Sequence, residues 1–301
     1  MMNIEKLDYK LVAALDAVIT AQSFEGAATK LHITQSAISQ RIKQLEQWLA
    51  QPVLIRGTPI EATETGQKLL SHYQKIKQLE SALLGELRPD LASATTQVSI
   101  ALNADTLASW FIPAITPLLK QQNIVFDLKV ANEAVSHELL KKGEVFGAVS
   151  SHATSFAGGK ATFLGELEYV LCANQTFNNQ YFSAGLNRES LRHAPAISFD
   201  SFDNMHTSFI KQHFNLSAND YPRHQLRSSE AFVSMALAGV AYALLPTTQA
   251  QEHLNRHELI DLAPSLRIKQ DLYWHSWHLE QGIYKEISNT IVNFAQNLLA
   301  K

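Results

Sequence analysis

The stretch FEGAATKLHITQSAISQRIKQLE, Phe24 to Glu46, decides how the N-terminal part of this chain folds. It holds two helical patterns separated by the short step His32-Ile33-Thr34. Ser23 stands in front of the first as a capping residue, and Phe24, Ala27, Ala28 and Leu31 recur at the spacing of one buried helix face. His32 falls where that helix must end, and histidine is among the residues that tolerate a left-handed backbone. Thr34 is a natural N-cap for the next helix, whose buried stripe is Ile38, Ile42, Leu45 and Leu49. That stripe leaves Gln35, Ser36, Ser39 and Gln40 facing outward.

Two helices joined by a turn of three to four residues form a helix-turn-helix, and its second helix enters the DNA major groove. The small side chain of Ala28 suits the close crossing of the two helices. Glutamine can bond an adenine edge with two hydrogen bonds, and serine can donate to or accept from several bases. Gln35, Ser36, Ser39 and Gln40 are therefore the candidate base readers, while Arg41, Lys43 and Arg56 are long cations suited to phosphate. Taken one at a time, Gln35 and Ser36 read equally well as capping or solvated residues. The combination of small crossing residue, turn, cap and polar first turn points to DNA.

Outward from this centre, Leu11, Ala14, Leu15, Val18 and Ile19 mark a preceding amphipathic helix, and Pro52 closes the region. PVLIRGTPIEAT, 52–63, reads as two short extended pieces around Gly57-Thr58-Pro59, a β-wing. A long helix then runs from about Glu64 to Leu87, with an apolar stripe of Leu69, Tyr73, Ile76, Leu79, Leu83 and Leu87. At 1.5 Å per residue it spans roughly 36 Å, and its seam must meet either its own domain or its twin in a dimer. Leu69, Tyr73, Ile76 and Leu83 are the candidate dimerisation residues. RPDLASATTQ, 88–97, has no period and reads as a hinge. Beyond it, strand-like runs alternate with helical ones in a βαβαβ order, followed by a second such set and a returning C-terminal segment. The chain is thus α/β overall: a winged helix-turn-helix at 1–63, a linker helix at 64–89 and a two-lobed domain at 90–301. Lobe I takes about 95–170 plus 271–301, and lobe II about 171–270.

Composition narrows the function. With 46% hydrophobic and 18% charged residues, the chain of 301 is an ordinary globular one. The net charge of −3 excludes a wholly basic nucleic-acid binder. The charge is uneven, however: residues 1–88 carry 10 Lys/Arg against 9 Asp/Glu, and Lys30 to Arg56 holds four cations against Glu46 alone. Such a local patch fits phosphate contact or a solvated face. One cysteine, Cys172, excludes an intrachain disulfide and a four-cysteine zinc site. The charged N-terminus lacks the pattern of a signal peptide, and no apolar run is long enough to span a bilayer, so a cytoplasmic protein without a membrane partner is expected. HExxH, GxSxG, Walker and glycine-fingerprint motifs are absent, which argues against an enzyme and against a metal or bound cofactor. Cys172 lies in the apolar run YVLCAN and reads as inert. An extracytoplasmic solute-binding protein would leave the first 90 residues unexplained.

The cleft between two α/β lobes, at the carboxyl ends of strands, is where a small ligand binds. The strand ends carry NADT (Asn103, Asp105, Thr106), SSH (Ser150, Ser151), FDSFDNMH (Asp200, Asp203) and SSE (Ser228, Ser229, Glu230). Ser228 and Ser229 precede a helix, where free N–H groups favour an anion such as an α-carboxylate. Asp105, Asp200, Asp203 and Glu230 suit a cationic side chain or α-amine, so the set fits a basic amino acid. Thr106, Asp203 and Ser228 serve equally as helix caps, and Glu133 either joins the pocket or is solvated. Trp274 and His275 read as core or cleft wall.

The stretch 24–46, followed by PVLIR and TETGQKLL, resembles the DNA-binding domain of a LysR-type transcriptional regulator, and the resemblance extends over essentially the whole chain. It implies a winged helix-turn-helix, a dimerising linker helix and a two-lobed effector domain like periplasmic binding proteins. It implies base contacts for residues at Gln35, Ser36, Ser39 and Gln40, and phosphate contacts at Thr34 and Arg56. Double-stranded operator DNA, RNA polymerase and a second copy in a homodimer or tetramer are the implied partners. A ligand would rearrange the lobes and, through the linker helices, the spacing of the DNA-binding domains. ITQSAISQRIKQLE, LNADTLASWFIPAI, GEVFGAVS, SSEAFV, ELIDLAP and LYWH are similar to the ArgP subgroup. Its members respond to lysine and arginine and are also described as inhibitors of chromosome initiation. The resemblance thus implies lysine or arginine as effector and control of export or metabolism genes. One departure stands out: the family often carries a wing cation after Arg56, whereas Gly57 to Thr63 contains Glu61 and no cation. The wing should then add little to the salt dependence of binding.

Overall fold

Helix α1 (Tyr9–Ala21) starts where Asp8 accepts the Lys10 amide and ends at Gln22, which is left-handed at φ 52°. Ser23 accepts the Gly26 amide and starts α2 (Phe24–Leu31). His32 takes the expected left-handed φ of 53°, and Ile33 N–H closes the turn onto the Ala28 carbonyl at 3.1 Å. Thr34 caps α3 (Gln35–Leu49). That helix stops at Ala50, φ 54°, two residues before Pro52, because Ala50 and Gln51 fold their amides back onto the carbonyls of Gln47 and Glu46. These elements belong to a computed structural model that describes residues 7–87, 95–131, 133–156, 158–200 and 204–299. Most of the expected hinge, 88–97, lies outside the described residues.

Val12, Leu15 and Val18 of α1, Ala27 and Ala28 of α2, and Ile38, Ile42 and Leu45 of α3 meet in one core with Val53 and Leu54. The wing is a minimal antiparallel ladder of β1 (Leu54–Ile55) and β2 (Glu61–Ala62). Helix α4 (Glu64–Leu87) follows. A Cβ at Gly66 would lie 2.2 Å from the Val53 carbonyl, so only glycine lets α4 leave the wing at this angle. Asp16, 9% exposed, accepts from Gln74 Nε2 at 2.8 Å and Lys77 Nζ at 3.5 Å, tying α4 to α1. Leu69, Leu70 and Tyr73 pack against the N-terminal core. The first half of the apolar stripe therefore serves its own domain, because three short helices alone offer too little surface to cover their core. Leu83, Leu84 and Leu87 remain 52%, 58% and 65% exposed.

Contacts divide the chain into two units: Met1–Thr95 with His137–Phe146 and Leu279–Lys285, and Thr96–Ser136 with Gly147–His278 and Glu286–Lys301. The grouping differs from a simple cut at residue 90. In the first unit the Ser71 hydroxyl donates to the Lys141 carbonyl at 2.9 Å, and the Phe146 and Tyr284 rings pack at 5.0 Å.

In the second unit β3 (Thr96–Leu102) pairs in parallel with β4 (Ile124–Val130) and β5 (Gly147–Ser150), the expected βαβαβ arrangement. The connection after β3 is α5 (Ala104–Thr106), a π-helical stretch Leu107–Phe111 and α6 (Ile112–Gln121). Helix α7 (Glu133–Lys141) precedes β5. Strand β6 is far longer than the apolar run YVLCAN announced, covering Gly159–Ala173. Through its middle, apolar residues alternate with Glu166 and Glu168, which meet Lys269 and Arg267. Two short helices, α8 (Gln175–Tyr181) and α9 (Arg188–His193), were not anticipated. Then come β7 (Ala196–Ser198), α10 (Asn204–Phe214), β8 (Arg223–Gln225), α11 (Ser229–Leu237), β9 (Ala243–Pro246), α12 (Thr247–Asn255), β10 (Ile260–Asp261), β11 (Ile268–Trp277) and α13 (Gly282–Leu298).

Strand β6 belongs to both halves of the sheet. From Gly159 to Tyr169 it pairs with β11, which continues to β5, β3 and β4. From Tyr169 to Cys172 it pairs with β9, and the Tyr242 carbonyl just before β9 accepts the Ile197 N–H of β7. This is the two-lobed α/β architecture. Trp274 is fully buried, donating from Nε1 to Ser288 Oγ at 2.9 Å, and a Cβ on Gly147 would strike its ring at 2.3 Å. Trp274 is core, not cleft wall.

Candidate DNA-binding face and effector site

Thr34 Oγ1 accepts the Ala37 amide at 3.2 Å, which starts α3 and fixes its register while leaving the hydroxyl proton to donate outward. With Ile38, Ile42 and Leu45 at 0%, 1% and 0% exposure, the opposite face carries Gln35, Ser36, Ser39, Gln40 and Lys43, all exposed. Arg41 is half-buried at the side of this face. Arg56 is exposed just after β1, with its guanidinium 5.8 Å from the centre of the Phe24 ring. Glu46, the one acid in the basic run, turns a carboxylate oxygen inward to accept the Val53 amide at 3.1 Å. Its helical position alone did not reveal that use. Glu61 is exposed on β2.

The sequence candidates for the effector separate into groups. Asp105 and Ser229, 124 residues apart, are brought together: Ser229 Oγ lies 2.6 Å from Asp105 Oδ1. The other carboxylate oxygen accepts from the Tyr169 hydroxyl at 2.8 Å. Ser229 Oγ also lies 2.8 Å from Gln249 Oε1. A hydroxyl has one proton, so if it goes to Asp105 the Gln249 amide must present its NH2 to Ser229. Tyr169 and Gln249 were missed from sequence, since each joins the site only through the crossover strand or a neighbouring helix. Asn103 Oδ1 caps α5 by accepting the Thr106 amide at 2.8 Å, and the fully buried Thr106 hydroxyl has no hydrogen-bond partner among the described residues.

The remaining candidates lie apart from this cluster in their bonding. Ser150 is buried and bonded to His275 Nε2 at 3.2 Å, and Ser151 is half-buried beyond β5. Asp200 pairs with Arg227 at 3.5 Å. Ser228 caps α11 and donates to the exposed Glu230 carboxylate at 2.8 Å, so both are engaged with each other. Asp203 and the side chain of Glu133 lie outside the described residues.

Residues 9–67 match the family described as "Bacterial regulatory helix-turn-helix protein, lysR family", and residues 92–279 match the "LysR substrate binding domain". The chain belongs to the LysR family. Relatives of this LysR-type protein include the "HTH-type transcriptional regulator ArgP" of Aeromonas salmonicida, 50% identical over 97% of this chain and 98% of the relative. The protein of the same description from Vibrio parahaemolyticus is 46% identical over the same shares. Among solved structures, ArgP from Mycobacterium tuberculosis is similar with a TM-score of 0.88 and 30% identity, over 98% of this chain and 99% of that one. Full-length LysG from Corynebacterium glutamicum with bound effector Arg is similar with a TM-score of 0.80 and 28% identity, over 98% of this chain and 100% of that one. The LysR-type chain is thus an ArgP-like, DNA-binding transcriptional regulator and not an enzyme.

Cys172 is fully buried, and burial pushes its thiol up to about 12, so it stays protonated and unreactive. Among the described residues no group of His, Cys, Asp and Glu is arranged to hold a metal, and no helix is long and apolar enough to cross a membrane.

Proposed function

We propose that this LysR-type regulator senses a basic amino acid, lysine or arginine, and controls genes for its export or metabolism from the cytoplasm. The carrying observation is the Asp105–Ser229 pair at 2.6 Å. It sets a carboxylate beside the first turn of the nine-residue helix α11. An amino acid bears an ammonium and a carboxylate on one carbon. Asp105 suits the ammonium, and the N–H groups and positive end of α11 suit the carboxylate. The lysine or arginine side chain then takes one of the remaining described acids, Asp200 by exchanging its ion pair with Arg227 for the ligand, or Glu230. LysG, solved with arginine as effector, supports a basic ligand for a chain of this likeness. In this reading Gln35, Ser36, Ser39 and Gln40 read bases, while Thr34, Arg41, Lys43 and Arg56 meet phosphate. Residues 1–63 bind the operator, 64–89 dimerise and 90–301 sense, in a dimer or tetramer that engages RNA polymerase.

The test is a thermal-shift screen of the twenty amino acids. A cognate ligand at 100 times its Kd raises stability by about 2.7 kcal/mol. Stabilisation by lysine or arginine and not by neutral amino acids is expected. Stabilisation by an unrelated amino acid alone would overturn the ligand class and leave the DNA-binding reading in place.

A further inference from the structure

The wing is a poor structure by itself. Its ladder joins only Leu54 with Ala62 and Ile55 with Glu61, and a two-stranded hairpin is marginal in water. Something else must hold the loop between the strands. Gln22, at the corner between α1 and α2, does so. Its Oε1 accepts the Ile60 amide at 2.9 Å, and its Nε2 donates to the Ile60 carbonyl at 3.0 Å. The same Nε2 donates to the Ile19 carbonyl at 2.8 Å, which anchors the side chain to the end of α1. The side chain amide thereby pairs with the wing as a strand backbone would. Gln22 does this from a left-handed backbone, φ 52°, that disfavours a side chain. Two residues on, the Phe24 ring lies 5.8 Å from the Arg56 guanidinium at the other end of the loop. A cleft of about 520 Å³ separates corner and loop tip, lined by Gln22, Ser23 and residues 57–60. The wing offers DNA no cation of its own after Arg56, so attraction cannot draw a mobile loop into place.

We propose that Gln22 is a positioning residue for operator recognition, fixing the wing and the Arg56 beside it relative to the recognition helix α3. The proposal rests on the reading of Arg56 as a phosphate contact. Gln22 is exposed, and bonds that water can replace add little to folding stability. A DNA-binding loss without a stability loss is therefore its signature.

The experiment uses the full-length protein and a duplex that the unaltered protein selects from a random-sequence pool. Gln22→Met keeps side-chain length and removes the bonds to Ile60; Gln22→Glu keeps the acceptor toward the Ile60 amide and sets a carboxylate oxygen against its carbonyl. Hydroxyl-radical footprinting reads the backbone at the half-site flanks, and guanine methylation protection reads the major groove. Expected for Gln22→Met is lost flank protection, retained major-groove protection, an unchanged melting temperature and affinity lower by about tenfold. Gln22→Glu should fall between. An unaltered footprint, a uniform loss of flank and groove protection, or a loss that follows a lowered melting temperature would each overturn the proposal. Arg56→Ala separates the two readings: if it alone removes flank protection, only the role of Gln22 fails, whereas flanks intact in both variants sink the Arg56 contact as well.

Discussion

Gln35 stands at the first position of α3, past a cap that fixes the helix start, with its amide exposed. Gln35→Ala should lower affinity for the preferred operator by about 1–3 kcal/mol. Fluorescence anisotropy with labelled DNA measures it. The lysine or arginine thermal shift should survive, and its loss with DNA binding intact would reverse the division of labour. Asp105→Ala should abolish the response to a basic amino acid, because the ammonium loses its counter-charge; unchanged calorimetric affinity would remove Asp105 from the pocket. The caps Ser23, Thr34 and Ser228 were readable from sequence because a cap bonds a backbone amide two or three residues away. Tyr169 and Gln249 were not. Tyr169 lies 64 residues from Asp105, and no local pattern reports that proximity.

Helix α4 does two jobs along its length. Near its start, Leu69 and Tyr73 cover the DNA-binding core, and Gln74 and Lys77 bond Asp16. Asp16→Ala should cost about 1–2 kcal/mol in urea unfolding, since it strands the Gln74 amide and a partly exposed lysine. A midpoint unchanged from the parent would show that the apolar contacts alone hold the helix. Toward its end Leu83, Leu84 and Leu87 are more than half exposed, and burying them in a twin helix is the simplest relief. Leu83→Glu should therefore shift sedimentation toward the monomer. The 3.6-residue period announced the stripe but not its partition, because periodicity tells which residues share a face and not what covers it. The same limit hid the middle of β6, whose alternating Glu166 and Glu168 are met by Lys269 of β11 and by Arg267 just before it.

Over the whole molecule, stability in acid should follow a buried histidine. His206 in α10 is 2% exposed, bonded through Nδ1 to the Tyr221 hydroxyl at 3.3 Å and packed near Tyr242. Burial first, and the Arg223 charge second, push its pKa down from the ordinary 6.5 to about 3. The unfolded chain thus binds a proton below pH 6.5 that the folded one refuses until about pH 3. Stability present above pH 6.5 should be lost across that window, at about 1.4 kcal/mol per pH unit. Comparing His206→Leu with the parent by calorimetry between pH 7 and about 5 isolates the slope. A gap between the two that does not change with pH would show that His206 is solvated or protonated in the fold.

By itself the sequence determined the helix-turn-helix, the wing, the length of the linker helix and the alternation of strand and helix that makes a two-lobed α/β domain. These depend on period, capping and turn residues, interactions that reach a few positions along the chain. Only tertiary structure decided that Asp105 meets Ser229 and Tyr169, that Asp200 and Glu230 are bonded elsewhere, and that an exposed Gln22 grips the wing. Apart from the local bond between Ser228 and Glu230, those pairings join residues tens of positions apart, and they exist only because buried strands and helices bring their ends together.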